Sequence, residues 1–319
     1  MGGSHPFVHD RGPELWPALP LEQWKATYET LHRWTQIVGK VRLTMMPWIN
    51  HSWHVTLYVT ARGLTTAPIP CGARSFQIDF DFIDHRLPVR TCDGEVRSLA
   101  LRPRSVADFY RELMAALREL GVETTIHPRP NELEDATPFA EDEGHASYDP
   151  DAAGRCWRVL VQAERVFTAF RARFLGKCSP VHFFWGAFDL AVTRFSGRPA
   201  PRHPGGVPNL PDWVAREAYS HEVCSAGFWP GDRRFPAPAF YSYAYPEPDG
   251  YPGAAVRPSG ATYSAGLREF LLPYGEVRAA ESPDDVLLEF LESTYRAAAD
   301  LGRWDRSALE RPAARRSPG

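Results

Sequence analysis

The sequence predicts an α+β fold, with a mostly antiparallel sheet in two lobes that form a sandwich or a partly open barrel, and with helices packed on it. One observation is the segment 76–82, where Phe or Ile alternates with Gln or Asp at the period of a half-buried strand. A second is an apolar stripe of helical spacing over 106–120, which Gly121 ends. The third is Asp93-Gly94 between two β-like runs, which is typical of a hairpin and therefore of antiparallel pairing.

The first half of the chain begins with a predicted helix. Apolar residues from Leu21 to Val38 recur at helical spacing, and we expect Gly39 to end that helix. Ser105 and Asp108 have a spacing like that of a capping box, which predicts the start of a second helix. Strands are expected at 40–46, 53–62, 75–83, 87–92, 95–101 and 122–127.

The second half again begins with a helix that leads into strands. Asp149 as N-cap and Pro150 at the first helical position predict a helix that runs to about Leu175. A long aromatic strand is predicted over 177–197, and because both of its faces are largely apolar we expect it to be covered on both sides. The remaining elements are a short helix near 211–218, strands at 219–229 and 239–245, an ambiguous segment at 264–272 and a last helix from Pro283 to Leu301.

Proline and acidic residues accumulate at 128–148, which predicts a crossing between two lobes. Each half also has a helix closed by Gly-Lys, at 39–40 and at 176–177. Either an ancient duplication or chance explains this likeness, and chance is preferred because glycine commonly follows a helix. The expected organisation is an N-terminal α/β lobe at 14–127, the acidic crossing at 128–148, an aromatic-rich C-terminal α/β lobe at 149–304 and a disordered tail at 305–319.

The composition of the chain argues against several kinds of partner and several classes of enzyme. Its 319 residues are 44% hydrophobic, enough for a sizeable core, and the formal charge of −3 gives no reason to expect nucleic acid or a membrane as partner. No apolar run approaches membrane length. Five scattered cysteines without a Cys-x-x-Cys pair favour a reducing compartment, so we expect a cytoplasmic protein. The sequence also lacks the phosphate-loop, dinucleotide-binding and hydrolase-elbow motifs.

Histidines and carboxylates of the second half form the first candidate site. His182 lies in the long strand and His221-Glu222 opens the next, so pairing of these strands would bring their side chains together at one end of the sheet. Two histidines and one carboxylate are the ligand set of a non-haem iron or catalytic zinc site. Against this, His221 and Glu222 are adjacent and point to opposite faces of a regular strand. Metal and cofactor therefore stay unassigned, and the candidate catalytic residues are His182, His221, Glu222, Asp189 and Arg194, the last as an anion anchor.

Aromatic residues near these strands predict a ligand-binding surface. Tyr241 and Tyr243 share a strand face, and their hydroxyl groups need hydrogen-bond partners such as Asp189. A mostly apolar pocket with a few convergent polar groups is the usual form of a small-molecule site. The candidate ligand-binding residues are Trp185, Tyr241, Tyr243, His54 and Tyr58, the last two from a polar stripe in the first half.

Several runs of the sequence resemble a bacterial family of uncharacterised proteins, domain of unknown function 5996. The similarity spans roughly residues 14–311. The resemblance brings no known activity and no catalytic residue, but it implies one folded unit across both halves. The runs that carry it are Trp-Pro-Ala-Leu-Pro-Leu at 16–21, Tyr-Val-Thr-Ala-Arg-Gly-Leu-Thr-Thr at 58–66, Ile-Asp-Phe-Asp-Phe-Ile-Asp-His at 78–85, Ser-Pro-Val-His-Phe-Phe-Trp-Gly at 179–186 and Glu-Ala-Tyr-Ser-His-Glu-Val at 217–223.

The leading hypothesis is a cytoplasmic enzyme that acts on a small organic molecule in a pocket lined by residues 181–195, 219–229 and 239–245. One alternative is a non-catalytic protein that binds an apolar or aromatic ligand in the same cavity, and another is a structural or interaction protein. The hypotheses that assign a pocket depend on His182 and His221 pointing into a shared cavity.

Overall fold

The computed structural model describes residues 14–312. Within that range the chain forms seven α-helices and two antiparallel sheets of six strands each, neither closed into a barrel. The α+β class predicted from the sequence is confirmed. No helix among the described residues combines the length and the apolar character needed to cross a bilayer.

The first half contains two helices and one sheet. Strand order in the sheet is first, second, fourth, fifth and sixth, with the third paired to the fourth. Ser105 caps the second helix, as predicted, and its hydroxyl oxygen accepts from the amide N–H of Asp108 at 3.1 Å. The elements are α1 (Leu21–Met45), β1 (Tyr58–Val59), β2 (Gly63–Thr65), β3 (Ile69–Cys71), β4 (Arg74–Asp81), β5 (Arg86–Thr91), β6 (Val96–Ala100) and α2 (Val106–Glu119).

The second half contains the other sheet and five helices. Its elements are α3 (Pro150–Arg171), β7 (His182–Phe184), β8 (Asp189–Pro199), α4 (Asp212–Ala218), β9 (His221–Trp229), β10 (Ala239–Tyr245), β11 (Thr262–Ser264), β12 (Glu269–Pro273), α5 (Tyr274–Ala279), α6 (Pro283–Leu301) and α7 (Arg306–Leu309). The strand order is β11-β12-β10-β9-β8-β7. The ambiguous segment 264–272 thus contributes to the β11–β12 hairpin.

The two sheets meet edge to edge. Leu57, next to β1, and Phe183 of β7 exchange both backbone hydrogen bonds, at 2.9 and 2.7 Å. Trp157 of α3 reinforces this junction, because its indole N–H donates to the Thr60 carbonyl in the β1–β2 turn at 3.0 Å. One continuous cluster of buried apolar residues includes side chains of both halves. The halves therefore share a core.

The prediction of a strand at 40–46 is wrong, because α1 continues to Met45. Gly39 does not end the helix. The indole of Trp185 lies where a Cβ on Gly39 would be, so the glycine allows Trp185 to pack closely against α1. The contact with Trp185 therefore explains why a glycine stands at position 39, where the sequence had indicated a helix end.

The long strand predicted at 177–197 is a hairpin. Its turn includes Phe188, which has a φ of 57°, and its strands are β7 and β8. Because His182 pairs with Ala191 and Phe184 pairs with Asp189, His182 and Asp189 lie on the same face of the sheet. A single strand would have placed them on opposite faces.

Three further expectations differ from the structure. Residues 122–127 form no strand, and only 58–59 of the strand expected at 53–62 pairs as β1. The expected disordered tail contains α7, and the Leu175 amide donates to the Leu309 carbonyl at 2.7 Å. Residues 313–319 of that tail lie outside the described range.

Candidate functional site

The two faces of the second sheet have different chemistry. On one face Phe240 packs against Phe167 of α3, with ring centroids 6.2 Å apart, and Arg194 contacts Phe170 of α3. The opposite face carries Tyr241, Tyr243, Ser225, Thr193 and Asp189, which alternate with the helix-facing residues along β8, β9 and β10. This polar and aromatic face is the candidate site.

A glycine allows two distant strands of this face to meet. Tyr241 on β10 pairs with Gly227 on β9, and Gly227 pairs with Ala191 on β8. A Cβ at position 227 would overlap the Tyr241 hydroxyl. The Tyr241 ring therefore crosses β9, and its hydroxyl donates to the Asp189 carboxylate on β8. Asp189 is 8% exposed, so this is a buried acid with a neutral donor as partner.

A buried polar stripe on α1 positions the segment that brings a second carboxylate to the site. His32, Gln36 and Lys40 are four residues apart, so they share one helix face, and each is less than 5% exposed. The Gln36 amide accepts from the Asn131 N–H and donates to the Asn131 carbonyl, both at 2.8 Å. Lys40 donates to the Asn131 side chain. The stripe thereby fixes the residue before Glu132.

Glu132 lies between two other loops. Its side chain occupies the space that a Cβ on Gly186 would need, next to the β7–β8 turn. Its amide donates to the Pro208 carbonyl at 2.9 Å, and the Asn209 side chain donates to the Leu133 carbonyl at 2.7 Å. Glu132 adopts a φ of 62°, which is uncommon for a non-glycine residue and requires such support.

Glu269 and two tyrosines complete the site. Phe270 pairs with Ser242, so Glu269 falls opposite Tyr243 on the same face. The hydroxyl groups of Tyr243 and Tyr219 lie 2.8 Å apart. These residues are partly exposed, whereas Asp189 and Tyr241 are buried. We call Glu132, Asp189, Glu269, Tyr219, Tyr241 and Tyr243 the carboxyl–tyrosine cluster.

The three carboxyl groups of this cluster have pKa values close to neutrality. Exclusion of water raises the pKa of Asp189 to about 6, although the Tyr241 hydroxyl opposes the rise. Desolvation and the charge of Asp189 raise the pKa of Glu132 to about 7 and that of Glu269 to about 7. Desolvation lowers the pKa of Lys40 to about 8, and Glu132 partly offsets this effect.

These values decide what the arrangement can do chemically. None of the three carboxylates has an arginine or lysine nitrogen within 4.0 Å among residues 14–312. Carboxyl groups that titrate near pH 7 are suited to general acid and base catalysis. Over the same residues, no group of three or more His, Cys, Asp or Glu has the geometry of a metal site.

Two surface concavities lie elsewhere. One, of about 270 Å³, is lined by α1 and by residues 144–147. The other, of about 840 Å³, is lined in part by residues 70–72 and 123–125. Neither includes a residue of the carboxyl–tyrosine cluster.

The structure brings some of the sequence-predicted residues together. Asp189, Tyr241 and Tyr243 belong to the carboxyl–tyrosine cluster. Trp185 lies beside it, where its ring packs against Lys40 of α1 and its indole N–H donates to the Val55 carbonyl at 2.7 Å. The catalytic and ligand-binding roles of these residues stay predictions.

The expected convergence of His182 and His221 is wrong. His182 pairs with Ala191 and His221 pairs with Pro199, eight positions further along β8. A bulge interrupts β8 between Phe195 and Pro199, so the separation is counted along β9, where the six residues from His221 to Gly227, the partner of Ala191, correspond to roughly 20 Å. The reason is the hairpin, because it places His182 at one end of the sheet while His221 begins β9 at the other.

Two further residues lie apart from the cluster. The Glu222 carboxylate accepts a hydrogen bond from Arg198 at 2.6 Å. Arg198 also donates to the carbonyl of Gly302, at the end of α6. Arg194 is 1% exposed on the helix-facing side, where it stacks over Phe170 and donates to that residue's carbonyl. Arg194 therefore connects sheet and helices and is not placed to anchor an anion in the cluster.

His54, Tyr58 and His182 form a separate group around Arg42. The Arg42 guanidinium lies 5.6 Å from the centre of the Tyr58 ring, and its Nε donates to the His54 carbonyl at 2.6 Å. The ring of His182 lies 6.4 Å from that of Tyr58. Two of the predicted ligand-binding residues thus belong with the predicted catalytic histidine, outside the carboxyl–tyrosine cluster.

The sequence did not single out Glu132, Glu269, Tyr219 or Lys40. Glu132 stood among many acidic residues of the expected crossing, and its left-handed backbone has no sequence signature. Glu269 fell in the segment that was ambiguous between helix and strand. The spacing of His32, Gln36 and Lys40 was the one available signal, because three polar residues four apart break the apolar face of a helix.

Sequence comparison places the chain among known families. The profile of a family of unknown function, DUF5996, matches residues 16–311. The chain belongs to this family. The resemblance seen in the sequence is thereby confirmed. All residues of the carboxyl–tyrosine cluster lie within the part of the chain that DUF5996 covers, and no curated protein or solved structure matches the chain.

Proposed function

We propose that this member of DUF5996 is an enzyme that performs general acid–base chemistry on a small organic molecule at the carboxyl–tyrosine cluster. The observation that supports the proposal is the position of Asp189, whose pKa is raised to about 6 while its neighbours Glu132 and Glu269 have pKa values of about 7. Keeping several carboxyl groups poorly solvated and without cationic partners costs stability, and such costs concentrate at functional sites.

The proposed roles follow from the protonation states near pH 7. Asp189 is mostly ionised there and acts as the base, with the Tyr241 hydroxyl fixing its orientation. Glu132 is about half protonated and acts as the acid, and the positive charge of Lys40 limits the rise of its pKa. Tyr243 and Tyr219, which are partly exposed, supply aromatic surface and hydroxyl groups that bind the substrate.

A second candidate function is binding of a small cationic molecule without catalysis. The rings of Tyr241 and Tyr243 are stacked 6.1 Å apart, and Tyr219 lies 6.3 Å from Tyr243. Tyrosine rings next to carboxylates are favourable surroundings for an ammonium group. This candidate replaces the apolar or aromatic ligand expected from the sequence, because the structure adds Glu132 and Glu269 to the site.

Comparison of Asp189→Asn with the unmodified protein tests the proposal. Each is incubated with a defined library of hydroxylated, carbonyl and amino metabolites, and consumption is followed by mass spectrometry between pH 5 and 9. We expect one component to be converted, with a rate loss of about 10²–10⁴ in Asp189→Asn. Asp79→Asn serves as a control, since Asp79 is a strand carboxylate paired with Arg90 outside the site.

The outcomes separate the two functions. Conversion that Asp189→Asn abolishes supports the enzyme, and retention of a cationic component without conversion supports the binding protein. Equal behaviour of Asp189→Asn and the unmodified protein towards every component would contradict both. A cytoplasmic location also stays a proposal; its support is that all five cysteines are free.

A further inference from the structure

Helix α1 carries two buried arginines whose surroundings differ. Arg33, 5% exposed, lies 2.9 Å from a carboxylate oxygen of Asp135 and 3.1 Å from one of Asp142. Arg42, also 5% exposed, has no carboxylate within 4.0 Å among residues 14–312; its Nε donates to the His54 carbonyl at 2.6 Å. One helix thus contains a compensated and an uncompensated guanidinium.

The other buried arginines resemble Arg33, because each has a carboxylate nearby. Arg104 is paired with Glu112, and Arg194 lies 3.7 Å from a carboxylate oxygen of Glu292. Arg42 is therefore the exception among the four buried arginines of the described chain. A buried charge without a counter-charge is unfavourable by several kcal/mol, so the exception calls for a partner.

The polar atoms near Arg42 also lack protein partners. Nη1 of Arg42, Nε2 of His54 and both ring nitrogens of His182 are buried and make no hydrogen bond within the described chain. His54 and His182 are both 0% exposed. Native proteins rarely leave buried donors unpaired, because each costs about 1–3 kcal/mol.

Shared neighbours place these side chains in one locality. Tyr58 is a neighbour of both Arg42 and His182, and its ring centre lies 5.6 Å from the guanidinium and 6.4 Å from the imidazole ring. The charge of Arg42 contributes to the lowered pKa of both His54 and His182, after the larger effect of burial. Trp53 is a further neighbour of His182, with ring centroids 6.4 Å apart.

We propose that Arg42, His54 and His182 bind a small monovalent anion, of the size of chloride, close to Tyr58 and Trp53. A guanidinium N–H and imidazole N–H groups are donors, and the charge of Arg42 has no carboxylate of the described chain within 4.0 Å. An anion satisfies the charge and the donors together, whereas a water molecule would satisfy the hydrogen bonds alone. The site shares no residue with the carboxyl–tyrosine cluster and does not rest on its proposed function.

Stability in different salts tests the proposal. Urea unfolding is measured in sodium chloride and in sodium gluconate at equal ionic strength, because gluconate is a much larger anion than the one proposed. Above the dissociation constant, a tenfold rise in chloride should multiply the folding equilibrium constant about tenfold, and gluconate should not. Arg42→Met should lose this dependence. Arg90→Met should keep it, since Arg90 is an exposed arginine paired with Asp79.

Crystals of the unmodified protein grown in sodium bromide give a second measurement that does not require the variant to fold. We expect an anomalous bromide peak in contact with Arg42 Nη1 and a nitrogen of His182. A water molecule alone at this position, or a peak only elsewhere on the protein, would overturn the proposal. Equal stability in chloride and gluconate would overturn it as well.

Discussion

At the scale of single residues, Asp189 shows how the fold keeps a carboxyl group in an unfavourable environment. Its pKa is about 6 in the folded protein and 3.8 without the fold. Between pH 4 and 6 the folded chain keeps a proton that the unfolded chain releases, so the free energy of unfolding falls as pH rises through this window. Above pH 6 Asp189 is ionised in both states, and the folded protein is then destabilised by the full cost of burying its carboxylate. Glu132 and Glu269 act in the same direction between pH 4.5 and about 7.

We expect Asp189→Asn to stabilise the protein at pH 8 by about 2–3 kcal/mol, because the amide removes a buried charge worth roughly two pKa units. At pH 4, where the carboxyl group of Asp189 is mostly protonated in the folded chain, the gain should largely disappear. Urea unfolding at both pH values measures the difference. Asp79→Asn should give no such gain, since Asp79 is paired with Arg90. A pH-independent effect of Asp189→Asn would contradict the desolvation argument.

At the scale of elements, glycines with the same sequence signal have different roles. Gly39 lies within α1 against the indole of Trp185, whereas Gly154 lies within α3 with no atom within 4 Å of the position of a Cβ. A glycine in a helical pattern therefore indicates a helix end, a close contact or neither. The distinction depends on what packs against the residue.

Alanine at these two positions should have opposite effects. Gly39→Ala should lower the free energy of unfolding by about 1–3 kcal/mol, because the methyl group overlaps Trp185. Gly154→Ala should raise it by about 0.5–1 kcal/mol, because alanine favours the helix and meets no neighbour. Thermal and urea unfolding of both variants measure these changes. Similar effects at the two positions would show that Trp185 does not pack against α1 as described.

The hairpin of β7 and β8 is also decided by tertiary contacts. Phe188 in its turn is not a residue that favours a positive φ. Its ring packs 5.0 Å from that of Tyr28 and 4.9 Å from that of Phe183. These contacts hold the strained turn, and nothing in the run of aromatic residues indicated where the chain reverses.

At the scale of the whole molecule, each half begins with a long helix, continues with six antiparallel strands and ends in helix; in the second half α4 interrupts the strands and three helices follow them. The two sheets join through their first strands, at Leu57 and Phe183. Each half also contacts the first hairpin turn of the other. Trp157 of α3 donates to Thr60, and His32 of α1 lies 2.9 Å from the Gly186 carbonyl. This reciprocity favours cooperative folding of the two halves.

We therefore expect one unfolding transition for both halves. Hydrogen exchange of amides in β4 and in β9 should report the same opening free energy. Trp157→Phe should lower both by about 1–2 kcal/mol, because the Thr60 carbonyl loses its donor. Trp213→Phe is the control, since Trp213 is 53% exposed. A selective loss of protection in one half would show that the halves unfold separately.

The sequence by itself determined the α+β class, most of the helices and, within a few residues, the strands expected at 75–83 and 239–245, because these depend on the spacing of apolar residues along the chain. It also indicated Asp189 and Tyr241 as polar residues in an aromatic sheet. Tertiary structure alone decided that Gly39 lies inside a helix, that 177–197 reverses, and that Glu132 and Glu269 join Asp189 while His182 and His221 stay apart. Those outcomes depend on contacts between segments distant in sequence, and such contacts leave no periodicity to read.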